Sequence, residues 1–200
     1  MTSRGIENES YLNNYRVKAF LDLISRAEGT YGHSDGGYDV LCGYGIFTGY
    51  FNHPNIYVSS CNSTAAGRYQ FLKKTWDSVK RSNGLPDFTP HSQDIGAVEL
   101  IRGEGALNDI INGNVESAIK KVNNIWASFP GSPYGQGTRS MSQMLSWYES
   151  DTGDYASGLI APIPRSTSTS TGNVTAAGLT PLGWLLIFGI AGGLIIYNSK

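Results

Sequence analysis

The feature that most constrains this chain is where its charge stops. All sixteen Asp and Glu residues lie at or before Asp154, and after Arg165 no charged side chain appears until Lys200. A solvated globule needs charge over its whole surface, so the first 155 residues and the last 45 cannot be parts of one uniform fold. From Ala176 to Tyr197 the chain reads "AAGLTPLGWLLIFGIAGGLIIY", without a charge. That is long enough to cross a bilayer core about 30 Å thick, and Trp184 and Tyr197 stand near its two ends, where interfacial aromatics are expected. Residues 179–198 are therefore expected to form a transmembrane helix, with a lipid bilayer as partner. Residues 156–178 are rich in Ser, Thr, Pro and Gly. Such a segment buries too little apolar surface to offset its ordering entropy, so it reads as a tether spanning on the order of 25 Å.

The front part, residues 1–155, is expected to be a single catalytic domain. Its polar start, "MTSRGIENESYLNNYR", has no apolar run of the kind a cleavable secretory signal needs. With 15 Lys+Arg against 16 Asp+Glu there is no basic excess to attract nucleic acid. Cys42 and Cys61 do not fall in a metal-binding spacing, and His33, His53 and His91 form no ligand pattern. No metal or cofactor is expected; the cysteines read as two free, partly buried thiols, with pairing in an oxidising compartment as the alternative.

Apolar periodicity predicts helices over 15–28, 70–82, 90–102, 114–128 and 139–150, with Pro90 in the first turn of the third and Asn114 as N-cap of the fourth. The Gly-, Tyr- and Val-rich stretch 36–60 reads as a small β lobe. The first helix carries an oddity. Val17, Phe20, Leu21 and Ile24 mark its buried face, and Glu28 follows them at helical same-face spacing. A carboxylate at the end of an apolar stripe is either a solvated helix end or a desolvated acid. Desolvation raises a carboxyl pKa and makes a general acid usable near neutral pH.

Seven stretches decide between these. "KAFLD" (18–22), "AEG" (27–29), "GYDV" (37–40), "IFTGYFNHP" (46–54), "AGRYQ" (66–70), "DFTPHSQD" (87–94) and "IWASFPGSPYGQG" (125–137) occur in this order. Together they resemble the endolysins of bacteriophage lambda type, over roughly Val17 to Tyr148. The resemblance implies an α+β, lysozyme-like fold, mostly helical with a small β lobe. It also implies a lytic transglycosylase acting on peptidoglycan strands, with Glu28 as catalytic acid and base. A hydrolase would usually need a second carboxylate; the nearby candidates are Asp35 and Asp39, and Asp39 reads as structural.

Substrate contacts are expected from Tyr38, Ser63, Tyr69, Gln70, Ser128, Tyr134 and Gln136. Gly67 is expected to let the backbone approach sugar, Arg68 to hold its loop, and Trp126 to belong to the core. Ala65 departs from the family, whose motif has Gly there. Lambda-type endolysins have no membrane tail. The added one suggests a protein held in a phage virion membrane or the host inner membrane, with phage structural proteins as further partners. A hydrolytic muramidase, or an inactive virion protein on the same scaffold, are the alternatives.

Overall fold

A computed structural model describes residues 1–134 and 137–158. The expected span 179–198, nearly all of the expected tether, and Gln136 lie outside the described residues. Among those residues, no helix is long and apolar enough to cross a membrane.

Seven α-helices are present in the described residues: α1 Ser3–Tyr11, α2 Tyr15–Glu28, α3 Lys73–Asn83, α4 Pro90–Gly103, α5 Leu107–Ile111, α6 Val115–Val122 and α7 Met141–Ser157. Their ends follow local chemistry. Asn14 caps α2 by accepting from the backbone N–H groups of Arg16 and Val17. Thr89 caps α4 ahead of Pro90, and Ser140 caps α7. Asn114 occupies the cap position of α6 without a side-chain cap bond. That helix stops at Val122 rather than at residue 128, α3 begins at Lys73, and α7 continues past residue 155 to Ser157.

The central element is α2. Val17, Phe20, Leu21 and Ile24 are buried as their spacing requires, and so are Ala19, Leu23 and Ala27. The helix packs chiefly against α7, with Phe20 edge-on to both Phe129 and Tyr148. Ile95, Val98 and Ile101 of α4 and Ile119 and Val122 of α6 belong to the same core. Each buried side chain of this size contributes about 1.5–3 kcal/mol. A second aromatic group, Phe71, Trp76 and Phe88, ties α3 to the loop before α4.

The stretch 36–60 is not a β lobe of strands. In the described residues it and its neighbours make only isolated bridges, Val40 with Ile46, Leu41 with Ala66, Val58 with Ser63, and Ala66 with Phe71. Two short 3₁₀ turns, Cys42–Tyr44 and Ser59–Cys61, complete the region. The cause is local. Tyr44, Asn55 and Asn62 adopt left-handed backbone conformations, each of which ends an extended run before a ladder can form.

Candidate active site

Glu28 is the last residue of α2, and Gly29 ends the helix in the left-handed conformation at φ 76°. A side chain at Gly29 would be strained, and its Cβ would lie 2.8 Å from the Tyr44 hydroxyl. The Tyr44 phenol thus sits directly over the turn that follows the carboxylate.

Glu28 opens into a groove whose cavity volume is about 210 Å³. One wall comes from Val40–Tyr44, a second from Cys61, Ser63, Ala65, Gln70 and Leu72, and a third from Ile125–Ala127 with Tyr134. Among the described residues lining it, Glu28 is the only carboxylate.

Ser128 donates its hydroxyl to Glu28 Oε1 at 2.6 Å, and its backbone also hydrogen-bonds to the carboxyl. Arg139 stands close by. Its Nε donates to the Ala27 carbonyl at 3.2 Å, and its backbone N–H to the Ser128 carbonyl at 2.8 Å. Burial pushes the Glu28 pKa up to about 7, against the pull of the Ser128 hydrogen bonds and the Arg139 charge. An acid so poised is about half protonated at neutral pH, so it can both give and take a proton.

The expected contact residues separate into two groups. Ser63, Gln70 and Tyr134 line the groove, and Ser128 touches Glu28 itself. Gln70 is oriented by donating Nε2 to the Gly67 carbonyl at 2.9 Å, and the Tyr134 hydroxyl donates to the Asn124 carbonyl at 2.8 Å. Tyr38 and Tyr69 do not line the groove. Both are buried, and both hydroxyls donate to Asp94 Oδ1, at 2.8 and 2.6 Å. They hold the half-buried carboxylate of Asp94 on α4, which is a packing role.

Gly67 also differs from expectation. At φ 80°, a Cβ there would lie 2.2 Å from Gln93 Oε1 and 2.9 Å from Phe88. The close neighbour that requires glycine is therefore α4. Gln93 spans this junction, accepting from the Arg68 N–H and donating to the Tyr38 and Phe88 carbonyls. Arg68 is buried against Asp22 and the Gly36 carbonyl, which fixes its loop. Trp126 is buried in the core, donates to the Tyr69 carbonyl at 3.1 Å, and presents part of its surface to the groove.

Asp39 accepts from the Ser34 hydroxyl and the Asp35 N–H, while Asp35 accepts from the Tyr50 hydroxyl. Neither lines the groove. Among the described residues, no group of His, Cys, Asp or Glu is arranged to hold a metal ion. His53 is buried with Nε2 at 2.7 Å from the Phe71 carbonyl, a structural placement.

The sequence model of the family described as "Endolysin" matches residues 18–155. The chain belongs to the endolysin family. Endolysins are peptidoglycan-degrading enzymes. The chain is 45% identical over 132 residues to the endolysin of Escherichia phage lambda, covering 62% of this chain and 83% of that one. It is 41% identical over 145 residues to the endolysin of Escherichia phage P2, covering 64% and 88%.

Among solved structures, it resembles bacteriophage lambda lysozyme complexed with a chitohexasaccharide, at a TM-score of 0.66 and 39% identity, over 69% of this chain and 94% of that one. A second structure of lysozyme from bacteriophage lambda gives a TM-score of 0.59 at 37% identity, over 72% and 94%. The fold is thus lysozyme-like and mostly helical. The endolysin resemblance ends near α7, so the apolar tail lies beyond it.

Proposed function

We propose that this endolysin-family chain is a lytic transglycosylase that cleaves the β-1,4 bond between N-acetylmuramic acid and N-acetylglucosamine in peptidoglycan. The observation that carries this reading is the solitary carboxylate: Glu28 is the one acid in the described groove lining, and Asp35 and Asp39 are engaged elsewhere. With no second carboxylate to activate water or attack the sugar, the nucleophile belongs to the substrate. Protonated Glu28 gives its proton to the glycosidic oxygen as the C1–O bond breaks. The resulting carboxylate takes the proton of the muramic C6 hydroxyl while O6 bonds to C1. A 1,6-anhydro end is formed, no water is consumed, and Glu28 returns to its starting state.

Ser128 holds the carboxyl, and Ser128 and the nearby Arg139 charge both moderate its pKa. Ser63, Gln70 and Tyr134 supply polar contacts for hydroxyl and N-acetyl groups. The complex of lambda lysozyme with a chitohexasaccharide supports a glycan-sized ligand for this groove.

The same proposal places residues 179–198 in a bilayer, of the virion or of the host, so that the enzyme works from a lipid surface. Its support is the sequence alone: a long uncharged run between two interfacial aromatics. Mass spectrometry of muropeptides after digestion tests the chemistry. Anhydro-muramic ends, lighter by one water than hydrolytic ends, are expected. Reducing ends alone would instead identify a muramidase. Carbonate extraction tests the anchor: a protein that washes off membranes is not held by a span.

A further inference from the structure

Cys42 and Cys61 lie outside the proposed chemistry, yet both face the groove. Cys42 opens the turn Cys42–Tyr44, Cys61 closes the turn Ser59–Cys61, and the two turns pack together. The two packed turns bring both thiols to the lining of the groove, and neither is in a disulfide. Their backbones are fixed. The Cys42 N–H donates to the Ala65 carbonyl at 3.0 Å, and the Cys61 N–H to the Val58 carbonyl at 3.2 Å, beside the Val58–Ser63 bridge. A Cβ placed on Gly43 would already lie 3.4 Å from Cys61 Sγ.

Between the two cysteines runs the loop 43–60. It exposes Tyr44, Ile46, Phe51, Ile56 and Tyr57, with Phe51 84% accessible. It is held to the body by buried Phe47 and His53, by the Val40–Ile46 bridge, and by hydrogen bonds from the Phe47 N–H to the Asp39 carbonyl, the Tyr50 hydroxyl to Asp35, the Lys80 ammonium to Asn52 and the Phe88 N–H to the Tyr50 carbonyl. The two sulfurs stand at the base of that loop.

We propose that Cys42 and Cys61 are a thiol–disulfide site that an external disulfide oxidises, closing the base of loop 43–60 and fixing the groove wall that carries Tyr44. The chemistry is exchange. The Cys61 thiol gives up its proton, and its sulfur attacks one sulfur of a small disulfide RSSR, breaking the S–S bond and releasing RS⁻. The Cys42 sulfur, after losing its proton, attacks Cys61 Sγ in the mixed disulfide and expels the second RS⁻. The protein dithiol is oxidised by two electrons, RSSR is reduced to two RSH, and the two thiol protons end on them.

The order follows from the surroundings. Cys42 Sγ lies 3.8 Å from the Ser63 carbonyl oxygen, and burial pushes its thiol up to about 12, which makes it a poor first nucleophile. Carried on the turn packed against that of Cys61, it is well placed to resolve the mixed disulfide. A cross-link here removes loop-closure entropy from the unfolded chain and leaves the folded wall where it is.

The test uses the full chain in detergent, equilibrated with reduced and oxidised glutathione and then alkylated. The expected result is a loss of two hydrogens in intact mass and a Cys42–Cys61 linked peptide. Melting should rise by about 5 °C or more and fall back with dithiothreitol. Cys42→Ser should stop at a mixed disulfide on Cys61 and show no such rise. Proteolysis supplies an independent reading, because cleavage within 43–60 should slow on oxidation of the parent and not of the variant. An unlinked parent, a stable glutathione adduct, a cross-linked dimer, or a linked protein with unchanged melting and proteolysis would each overturn the proposal.

Discussion

Two carboxylates on α2 show what the surroundings do to the same functional group. Asp22 and Glu28 are under two helical turns apart, and burial pushes both pKa values upward. Asp22 faces a cation: it pairs with buried Arg68 and accepts the Tyr155 hydroxyl at 2.7 Å. Beside it, Arg26 makes two hydrogen bonds to buried Asp151, and the Tyr31 ring lies 3.7 Å from the Arg26 guanidinium. Glu28 faces a hydroxyl and an open groove, with the Arg139 side chain donating to the Ala27 carbonyl. The pair at Asp22 locks α2 to its neighbours, while the weaker compensation at Glu28 leaves a proton free to move. A buried acid becomes chemical when its desolvation is not fully answered.

Breaking the contrast at Glu28 has the largest expected effect. Glu28→Gln keeps the size and cannot give a proton, so turnover on peptidoglycan should fall by about 10²–10⁴-fold. A variant retaining more than about a tenth of the parent rate would remove Glu28 from its role.

The same substitution should raise stability, in a pH-dependent way. The folded state holds the Glu28 proton up to about pH 7, against 4.5 for an ordinary Glu. Ionising this group therefore costs the folded state nothing at pH 4, a growing amount between the two values, and the full amount above pH 7. Unfolding by urea at pH 8 should show the Gln variant more stable by about 1–3 kcal/mol, after allowance for partial solvent access. At pH 4 the gain should vanish.

At Asp22 the expected outcome is reversed. Asp22→Asn leaves Arg68 buried beside a neutral group and should cost about 3–5 kcal/mol. A folded Asp22→Asn variant should keep a pH–rate profile like the parent's. If its stability matched the parent's and its pH profile moved instead, the division of labour between the two acids would be wrong.

The smallest effect sharpens the Glu28 side. Arg139 lowers the Glu28 pKa, so Arg139→Gln should move the high-pH limb of the pH–rate profile upward. The loss in kcat/KM at pH 6 should stay under about tenfold. A downward shift would refute the electrostatic role.

Sequence spacing revealed α2, its buried face and the position of Glu28, because apolar periodicity is strong there. The start of α4 was legible from Pro90, which fits only the first turn of a helix. Helix α1 was not, since its buried residues are Gly5 and Asn8. Asn8 donates to Asn83 and Glu99, and Arg4 pairs with Glu99 at 2.7 Å, so polar contacts take the place of the periodic signal. Five-residue α5 is too short to show a period. Tyr38 and Tyr69 misled because a tyrosine in a Gly-rich motif looks the same whether its hydroxyl meets sugar or Asp94. Tyr44 and Arg139 gave no signal, since neither lies on an element whose periodicity points it at the Glu28 end of the groove.

Glu28 meets Ser128 across 100 positions of chain, and Arg139 closes onto Ala27 from 112 positions away. Contacts of such range are late and costly to form. A nascent chain that has grown through α4 already holds its acid but has neither Ser128 nor Arg139 to set it. The setting of the acid therefore arrives only with the last third of the folded chain, after the helix that carries it.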